Sequence, residues 1–294
     1  MVKTLGEFFG RALHVTRQQA PAHEPVGESR RWTPPPLLYA SAAVHLSAAA
    51  VVAARPHAWP WALGAVIANH VGLAAAGLWP RSQLLGPNLI RLPEDIGESG
   101  GIAITIDDGP DPDVTPRVLA QLAGHDAQAT FFCVGERVER YADLAREIVS
   151  RGHCIENHSQ RHRHNFSLMG PGGMSAEILH AQASIQRVTG SSPRFFRAPA
   201  GLRNPFLDPI LTRLQLRLAS WTRRGFDTVN ANADAVYRRL ANPLRGGDIL
   251  LLHDGNAARS RSGQPVILEV LPRLLDAVAA LQLRPVTLRT AIPR

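Results

Sequence analysis

The sequence predicts an α/β fold: a distorted, incomplete (β/α) barrel of about seven parallel strands, preceded by an N-terminal apolar helical hairpin. Three observations carry this expectation. From about residue 95, short apolar runs alternate with helix-like segments, the pattern of repeated strand–helix units. Polar clusters fall at the ends of successive apolar runs, where α/β active sites assemble. Before this region lie two long alanine-rich runs, each close to the roughly 20 residues that cross a bilayer.

Residues 1–35 are polar and proline-rich, and read as a tail with a short helix over Leu5–Val15. Residues 36–80 form the membrane-associated hairpin, built from Leu37–Ala54 and Trp59–Trp79 and divided by Arg55, Pro56 and His57. Trp59, Trp61 and Trp79 lie near the run ends, where interfacial aromatics belong. Ser41, His45, Asn69 and His70 interrupt the apolar character. That leaves open a spanning hairpin, one packed on the soluble part, or one lying flat on the membrane. A cleaved signal peptide fits poorly, because a long charged tail precedes the first run. Lys3, Arg11, Arg17, Arg30 and Arg31 precede the hairpin, and Arg81 and Arg91 follow it. If both runs span a bacterial-type inner membrane, these charges place the C-terminal part in the cytoplasm; if only one spans, they place it outside.

Residues 95–290 carry the alternation. Strands are expected at Ile102–Ile106, Ala129–Val134, His153–Asn157, Arg194–Arg197, Arg217–Trp221, Asp248–Leu252 and Pro285–Leu288. Helices are expected from Thr115 and Pro116, over Val138–Arg151 ending at Gly152, and from a capping Ser175 to near Gly190. Three more cover Pro205–Leu214, Ala233–Ala241 and Pro265–Leu281. Seven strands in so short a stretch fit an incomplete barrel better than a full eight-fold one.

Composition narrows the function. Lysine and arginine number 32 against 24 acidic residues, a net charge of +8, and Lys3 is the only lysine. The excess reflects either an arginine-favouring genome or attraction to anionic headgroups and phosphates. The arginines are scattered, with no basic arm, zinc-finger spacing or aromatic RNA-binding pattern, so nucleic acid is excluded as a partner. Cys133 and Cys154 sit in apolar strand-like runs and read as buried free thiols.

The chemistry concentrates in a few short motifs. TIDDGPDPD places Asp107 and Asp108 side by side at the end of a buried strand. Burial and like-charge repulsion both oppose two ionised carboxylates there, so a cation or a division of roles is required. HSQRH supplies His158 and His162, whose imidazoles converge on a helical turn or in a tight loop. With one carboxylate they make a facial set for a divalent metal. FFRAPAG supplies Arg197, Pro199 and Gly201; SWTRRGFDT supplies Trp221 and Asp227; ILLLHD supplies Leu252 and His253.

These motifs, in this order over roughly residues 98–290, resemble the polysaccharide deacetylase family, also called the NodB-homology domain or carbohydrate esterase family 4. TIDDGP is similar to its T-F-D-D-G-P motif, HSQRH to H-S/T-x-x-H, RAPAG to R-x-P-x-G and LLH to L-x-H. Two positions depart: Asp227 precedes Thr228 where the family usually has Asp-Trp, and Arg163 stands where proline is common. The resemblance implies removal of an N-acetyl group from an amino sugar by attack of a metal-bound water. It implies Asp107 as general base, Asp108, His158 and His162 as ligands of a divalent metal, most often Zn2+, and His253 as general acid. Arg197 would pair with Asp107 and Asp227 with His253. Pro199, Ala200, Trp221 and Leu252 would contact substrate, with a backbone N–H near Ala200 on the developing oxyanion. His164 is an alternative ligand or a loop histidine; His45, His70, His125, His153 and His180 read as structural or surface residues.

The implied partner is an acetylated amino-sugar glycan. Together with the hairpin and the basic balance, it suggests a polyprenyl-linked sugar at a lipid membrane. Deformylation or another deacylation of a lipid-linked amino sugar is the chemical neighbour. A catalytically silent glycan- or lipid-binding membrane module is the rival from another class.

Overall fold

Proline sits in the first turn of both N-terminal helices, α1 (Pro36–Ala54) and α2 (Trp59–Leu78), where its fixed φ suits the helix and no hydrogen bond is lost. The computed structural model describes residues 31–293. The expected helix over Leu5–Val15 lies outside them. A 3-10 turn at Pro56–Ala58 joins the two helices into an antiparallel hairpin. Their polar residues meet between them. Asn69 Nδ2 donates to Ser41 Oγ at 2.9 Å, and the His45 ring bonds the Ser41 carbonyl at 2.7 Å and His70 at 3.3 Å. The outward residues are apolar and exposed, Trp61 to 84%. Both helices are long and apolar enough to cross a membrane.

After a short α3 (Glu94–Glu98), the chain alternates through β1 (Gly101–Asp107), α4 (Thr115–Ala123), β2 (Ala129–Cys133), α5 (Gly135–Arg140), α6 (Ala142–Ser150) and β3 (Cys154–Asn157). It continues with α7 (Pro171–Thr189), β4 (Phe195–Phe196), α8 (Leu207–Arg213), β5 (Arg217–Leu218) and β6 (Arg223–Arg224). The last elements are α9 (Ala233–Ala241), β7 (Ile249–His253), α10 (Ile267–Ala280), β8 (Arg284–Pro285) and α11 (Leu288–Ala291). Seven parallel strands in the order β5-β4-β3-β2-β1-β7-β6 form a half-barrel, and β8 pairs with the start of β1. The two ends, β5 and β6, flank a seam occupied by the segment that leaves the hairpin. There Leu89 N donates to Leu218 O at 2.9 Å and Ser220 N to Leu89 O at 2.8 Å.

Strand alternation sorts the side chains. Ile102, Ile104 and Ile106 of β1 join Leu250 and Leu252 of β7 in the core beneath α4, α6 and α10. Ala103, Ile249, Leu251, Phe132 and Trp221 turn the other way, into the barrel. Asp107 shares that inward phase, and it pairs in register with His253 at the C-terminal end of β7.

Four sequence expectations change in three dimensions. The helix expected over Val138–Arg151 is two helices, broken at Tyr141 (φ −118°, ψ 51°); α5 packs on α7, and after the break α6 lies against both α7 and β3. Ser175 does not cap α7. Pro171 occupies the first turn, and Ser175 Oγ instead accepts from Arg213 at 2.9 Å. The last strand is only Arg284–Pro285, because the Thr287 side chain accepts from Thr290 N and starts α11 at Leu288. β6 has no counterpart among the expected strands, because its two half-buried arginines, Arg223 and Arg224, carry no apolar signal. Cys133 is a buried free thiol as expected, whereas Cys154 is half-buried.

The hairpin exit is welded to the barrel rim. Arg203 N donates to Gly77 O at 3.1 Å, Ser220 Oγ to Pro80 O at 2.7 Å and Arg203 to Ser82 O at 2.6 Å. Gly201 sits beneath Pro80 at φ +75°, where a Cβ would lie 2.5 Å from Trp221 Cη2 and 2.8 Å from Pro80 Cβ. Gly201→Ala therefore incurs both a left-handed backbone penalty and a clash, together about 1–3 kcal/mol. The expected outcome is a lowered unfolding midpoint in detergent; an unchanged midpoint would show that the rim yields freely.

Candidate active site

Parallel strands deliver their C-terminal ends to one side of the sheet. Asp108 follows β1, His158 follows β3, Arg197 follows β4 and His253 ends β7. Asp108 N donates to Phe132 O at 3.2 Å and His158 N to Cys133 O at 3.1 Å, so both residues hang from the end of β2. Asp108 adopts φ 76°, a left-handed conformation that Asp tolerates better than most residues. It turns the carboxylate away from the strand phase that Asp107 keeps.

The two aspartates have separate partners. Asp107 Oδ1 accepts from Arg197 at 2.6 Å, with both side chains almost fully buried. Arg197 also donates to Thr105 Oγ1 at 2.7 Å, Ser220 O at 2.7 Å and Ala219 O at 3.1 Å, and lies 4.0 Å over the Phe132 ring. Burial draws the guanidinium pKa down, and Asp107 opposes that pull.

Asp108 Oδ1 faces His158 Nε2 at 3.3 Å and His162 Nε2 at 3.2 Å. Burial works against its charge, yet the close approach of His158, with the charges of His253 and His162, holds the carboxyl well below the usual range. His158 Nδ1 lies 2.8 Å from the Arg197 carbonyl, which only accepts, so Nδ1 carries the proton and Nε2 faces Asp108. The loop that carries the histidines is pinned by Asn157, whose Oδ1 accepts from Ser159 N at 2.9 Å and whose Nδ2 donates to Ile178 O at 2.9 Å. Ser159 (φ 65°) and His162 (φ 49°) supply the tight turn. A loop, not a helix, makes the imidazoles converge.

These three residues fit a divalent cation. Their ligand atoms lie within 4.8 Å of one another, and Asp108 Oδ1 is buried with no hydrogen-bond partner. A tetrahedral site with ~2.0 Å bonds has edges of ~3.3 Å, which matches the two His–Asp separations. His164 lies outside this set, exposed, with its ring centroid 6.1 Å from that of His162.

His253 stands across the pocket. Its Nδ1 lies 2.9 Å from Asp227 Oδ1, and its backbone N donates to Asp227 Oδ2 at 2.7 Å. Burial favours neutral imidazole, but the Asp227 charge and hydrogen bond prevail, with help from Asp108 and Asp107, and lift the pKa to about 9.

The pocket wall includes Ala200, Gly201, Trp221 and Leu251. Two substrate-contact expectations need correction. Leu252 lies in the core beneath the helices and Leu251 lines the pocket, because the inward phase that places His253 must skip its neighbour. Pro199 is buried and absent from the pocket lining, with Ala200 (φ 55°) presented at the surface instead. Asn256 is a residue that motif reading missed: its Nδ2 donates to Asp108 Oδ2 at 2.9 Å, holding the carboxylate oxygen that faces away from the histidines. Its signal was its place, three residues beyond His253 in a loop following a strand end.

Loading of this triad competes with protons. Burial opposes a charge on His158, but Asp107 and Asp108 together raise its pKa, so in the absence of a cation it holds a proton above the usual histidine range. Zn2+ affinity is expected to rise with pH through and above that range, with proton release on binding; a pH-independent affinity in titration calorimetry would remove His158 from the set. Asn256→Ala should weaken Zn2+ roughly 10- to 100-fold, and Asp108→Ala should abolish retention, as read by equilibrium dialysis.

Comparison with known proteins agrees with this geometry. The polysaccharide deacetylase family model matches residues 96–219. A peptidoglycan-N-acetylglucosamine deacetylase of Bacillus cereus is 34% identical over 175 residues, which cover 59% of this chain and 81% of the relative. A chitooligosaccharide deacetylase of a Bradyrhizobium species is 32% identical over 162 residues, 55% of this chain and 74% of the relative. Among solved structures, a peptidoglycan N-acetylglucosamine deacetylase superposes with a TM-score of 0.63 at 24% identity, covering 70% of this chain and 92% of its own; that likeness concerns the fold. With the half-barrel, the ordered motifs and these relatives in agreement, the chain belongs to the polysaccharide deacetylase family.

Proposed function

We propose that this protein is a membrane-anchored, metal-dependent N-deacetylase that hydrolyses the acetamido group of an amino sugar in a glycan or a lipid-linked sugar. One observation carries the reading. A buried carboxylate held by arginine, a carboxylate–imidazole triad and an aspartate-backed histidine line the same pocket. Acyl-amide hydrolysis needs a proton acceptor for water, a stabiliser for the oxyanion and a proton donor for the departing amine.

Asp108, His158 and His162 would hold the cation, and two imidazole donors with one carboxylate suit Zn2+. When bound, it supplies Lewis acidity, lowering the pKa of water and polarising the amide carbonyl. Asp107, fixed by Arg197, accepts the proton of the attacking water. The Ala200 backbone, displayed on the pocket wall, offers its N–H to the developing oxyanion. His253 Nε2 donates a proton to the sugar nitrogen as the C–N bond breaks, giving acetate and a free amine. Asp227 keeps that imidazole oriented and protonated.

The anchoring follows from the hairpin. Its apolar outer surface is too large for water without a covering, and four of its polar side chains, Ser41, His45, Asn69 and His70, find hydrogen-bond partners within the hairpin, as helices in lipid favour. We divide the chain accordingly into a tail (1–35), a membrane hairpin (36–80) and a catalytic unit (95–290). Basic residues flank both hairpin ends, favouring an inner-membrane hairpin whose termini and catalytic unit face the cytoplasm. The hairpin exit contacts Gly201 on the pocket wall, which favours a substrate presented at the lipid surface, such as a polyprenyl-linked amino sugar.

Acetate release from N-acetylated glucosamine oligomers and from polyprenyl-linked N-acetylhexosamine tests the activity; a zinc-replete protein that cleaves neither would sink it, and formate release from a formylated analogue would redirect it. Asp107→Asn should retain Zn2+ and lose at least ~100-fold in kcat. The raised pKa of His253 sets the sign of the pH profile: the acid is fully protonated at low pH and is lost as pH rises through about 9. Asp227→Asn removes the raising partner, so the alkaline limb of kcat should move to lower pH; an unmoved limb would take His253 out of the acid role. Truncation through residue 75 keeps Gly77 and Pro80 but removes most of the hairpin. It should release the enzyme from membranes and preserve hydrolysis of small soluble oligomers; continued sedimentation with membranes would exclude the hairpin as the anchor.

A further inference from the structure

Charge accounting along the catalytic pocket leaves a surplus that the hydrolytic machinery does not use. Four arginines line it: Arg137, Arg140, Arg161 and Arg224. Arg161 Nε meets Glu136 at 2.9 Å, and Arg137 lies 3.6 Å from Asp111. The acidic residues of the site are committed as well, Asp107 to Arg197, Asp227 to His253 and Asp108 to the histidines. Arg140 and Arg224 have no carboxylate partner among the described residues.

Arg224 is the better prepared of the two. Its guanidinium carbon lies 5.4 Å from the Trp221 ring and 4.9 Å from the Phe226 ring, and its Nε is buried with no hydrogen-bond partner. Stacking on aromatic rings uses the faces of a guanidinium, while its donors lie in the plane and remain to be satisfied. The enclosed Nε has no acceptor, which is costly, and the terminal nitrogens of this pocket-lining side chain make no hydrogen bond among the described residues either, so they are the donors that a ligand oxygen entering the pocket would meet. Arg224 pairs in register with Leu251, two residues before His253 on the adjacent strand. The unfilled fork therefore begins beside the residue assigned as proton donor. Arg140, at the end of α5, adds positive charge from a different wall.

We propose that the pocket contains an anion subsite, with Arg224 as its fork and Arg140 as a second cation, that binds a phosphate or carboxylate group carried by the substrate near the acetamido sugar. This rests on the deacetylase reading and narrows its substrate class to anionic amino-sugar compounds. The same chemistry is available from two sources, the phosphate ester that links a sugar to a polyprenyl chain and the carboxylate of a carboxyl-bearing sugar in a cell-wall glycan. Neutral oligomers lack it.

The test uses the full-length, zinc-loaded enzyme in detergent with three probes: the neutral N-acetylglucosamine tetramer, an N-acetylhexosamine phosphate ester of a short polyprenol, and a muramic-acid-containing glycan fragment. At least one anionic probe is expected to show a KM roughly tenfold or more below the neutral one, with the gap closing as NaCl rises from about 0.05 to 0.5 M. The arm that shows the gap identifies phosphate or carboxylate as the source. Arg224→Gln should collapse the anionic-to-neutral ratio of kcat/KM, Arg140→Gln should lower it less, and Arg224→Lys should restore part of it. Equal KM values for all three probes, or an equal loss on neutral and anionic probes in Arg224→Gln, would overturn the subsite. Dissociation constants for the same probes, measured by calorimetry, separate the two readings. If no probe releases acetate, the deacetylase assignment fails, while a binding preference for an anionic probe that Arg224→Gln abolishes still upholds the subsite.

Discussion

Two carboxylates on adjacent residues at a buried strand end repel one another and resist ionisation unless their charges are compensated, and most of the site is built to meet that constraint. Asp107 keeps the strand's inward phase and meets Arg197. Asp108 leaves that phase through a left-handed turn and meets two imidazoles. The left-handed turn converts a like-charge repulsion into two separate pairings.

That separation draws in neighbouring strands. Arg197 is buried, so its donors must be met by Thr105, Ala219 and Ser220 as well as Asp107, which fixes β4 and the chain after β5 relative to β1. Its own carbonyl orients His158. Removing one partner from so buried a pair strands the other charge, at a cost of about 3–5 kcal/mol. The ion pair thus supports the barrel rim as well as the chemistry.

The hairpin belongs to the same rim. Its exit segment fills the seam between β5 and β6, bonds to Ser220 and Arg203 and covers Gly201. An element that reads from composition as a separate anchor is therefore continuous, through Pro80, with the wall of the pocket. The hairpin exit thus packs directly on the loop that presents Ala200.

Much of this was legible in the linear chain, for physical reasons that can be named. Strand–helix alternation announced the parallel sheet, because a parallel crossover needs a helix between strands. TIDD, HSQRH and LLH pointed to the carboxylates and imidazoles that gather in one pocket, because strand ends in such a sheet share one side. Three kinds of feature were not legible. Strand phase was misjudged at Leu252, where one residue decides between core and pocket. Short elements with little apolar content, such as β6, left no periodic trace. Contacts across distant loops, Asn256 on Asp108 and Pro80 on Gly201, have no local signature at all. Local sequence settled which groups are available and in what order they reach the sheet edge, since hydrophobic period and turn residues act within a few positions. Only the folded chain decided which carboxylate meets which partner, which arginines remain unpaired and how the hairpin leans on the pocket, because those outcomes depend on residues 50 to 150 positions apart being packed to within a few ångströms.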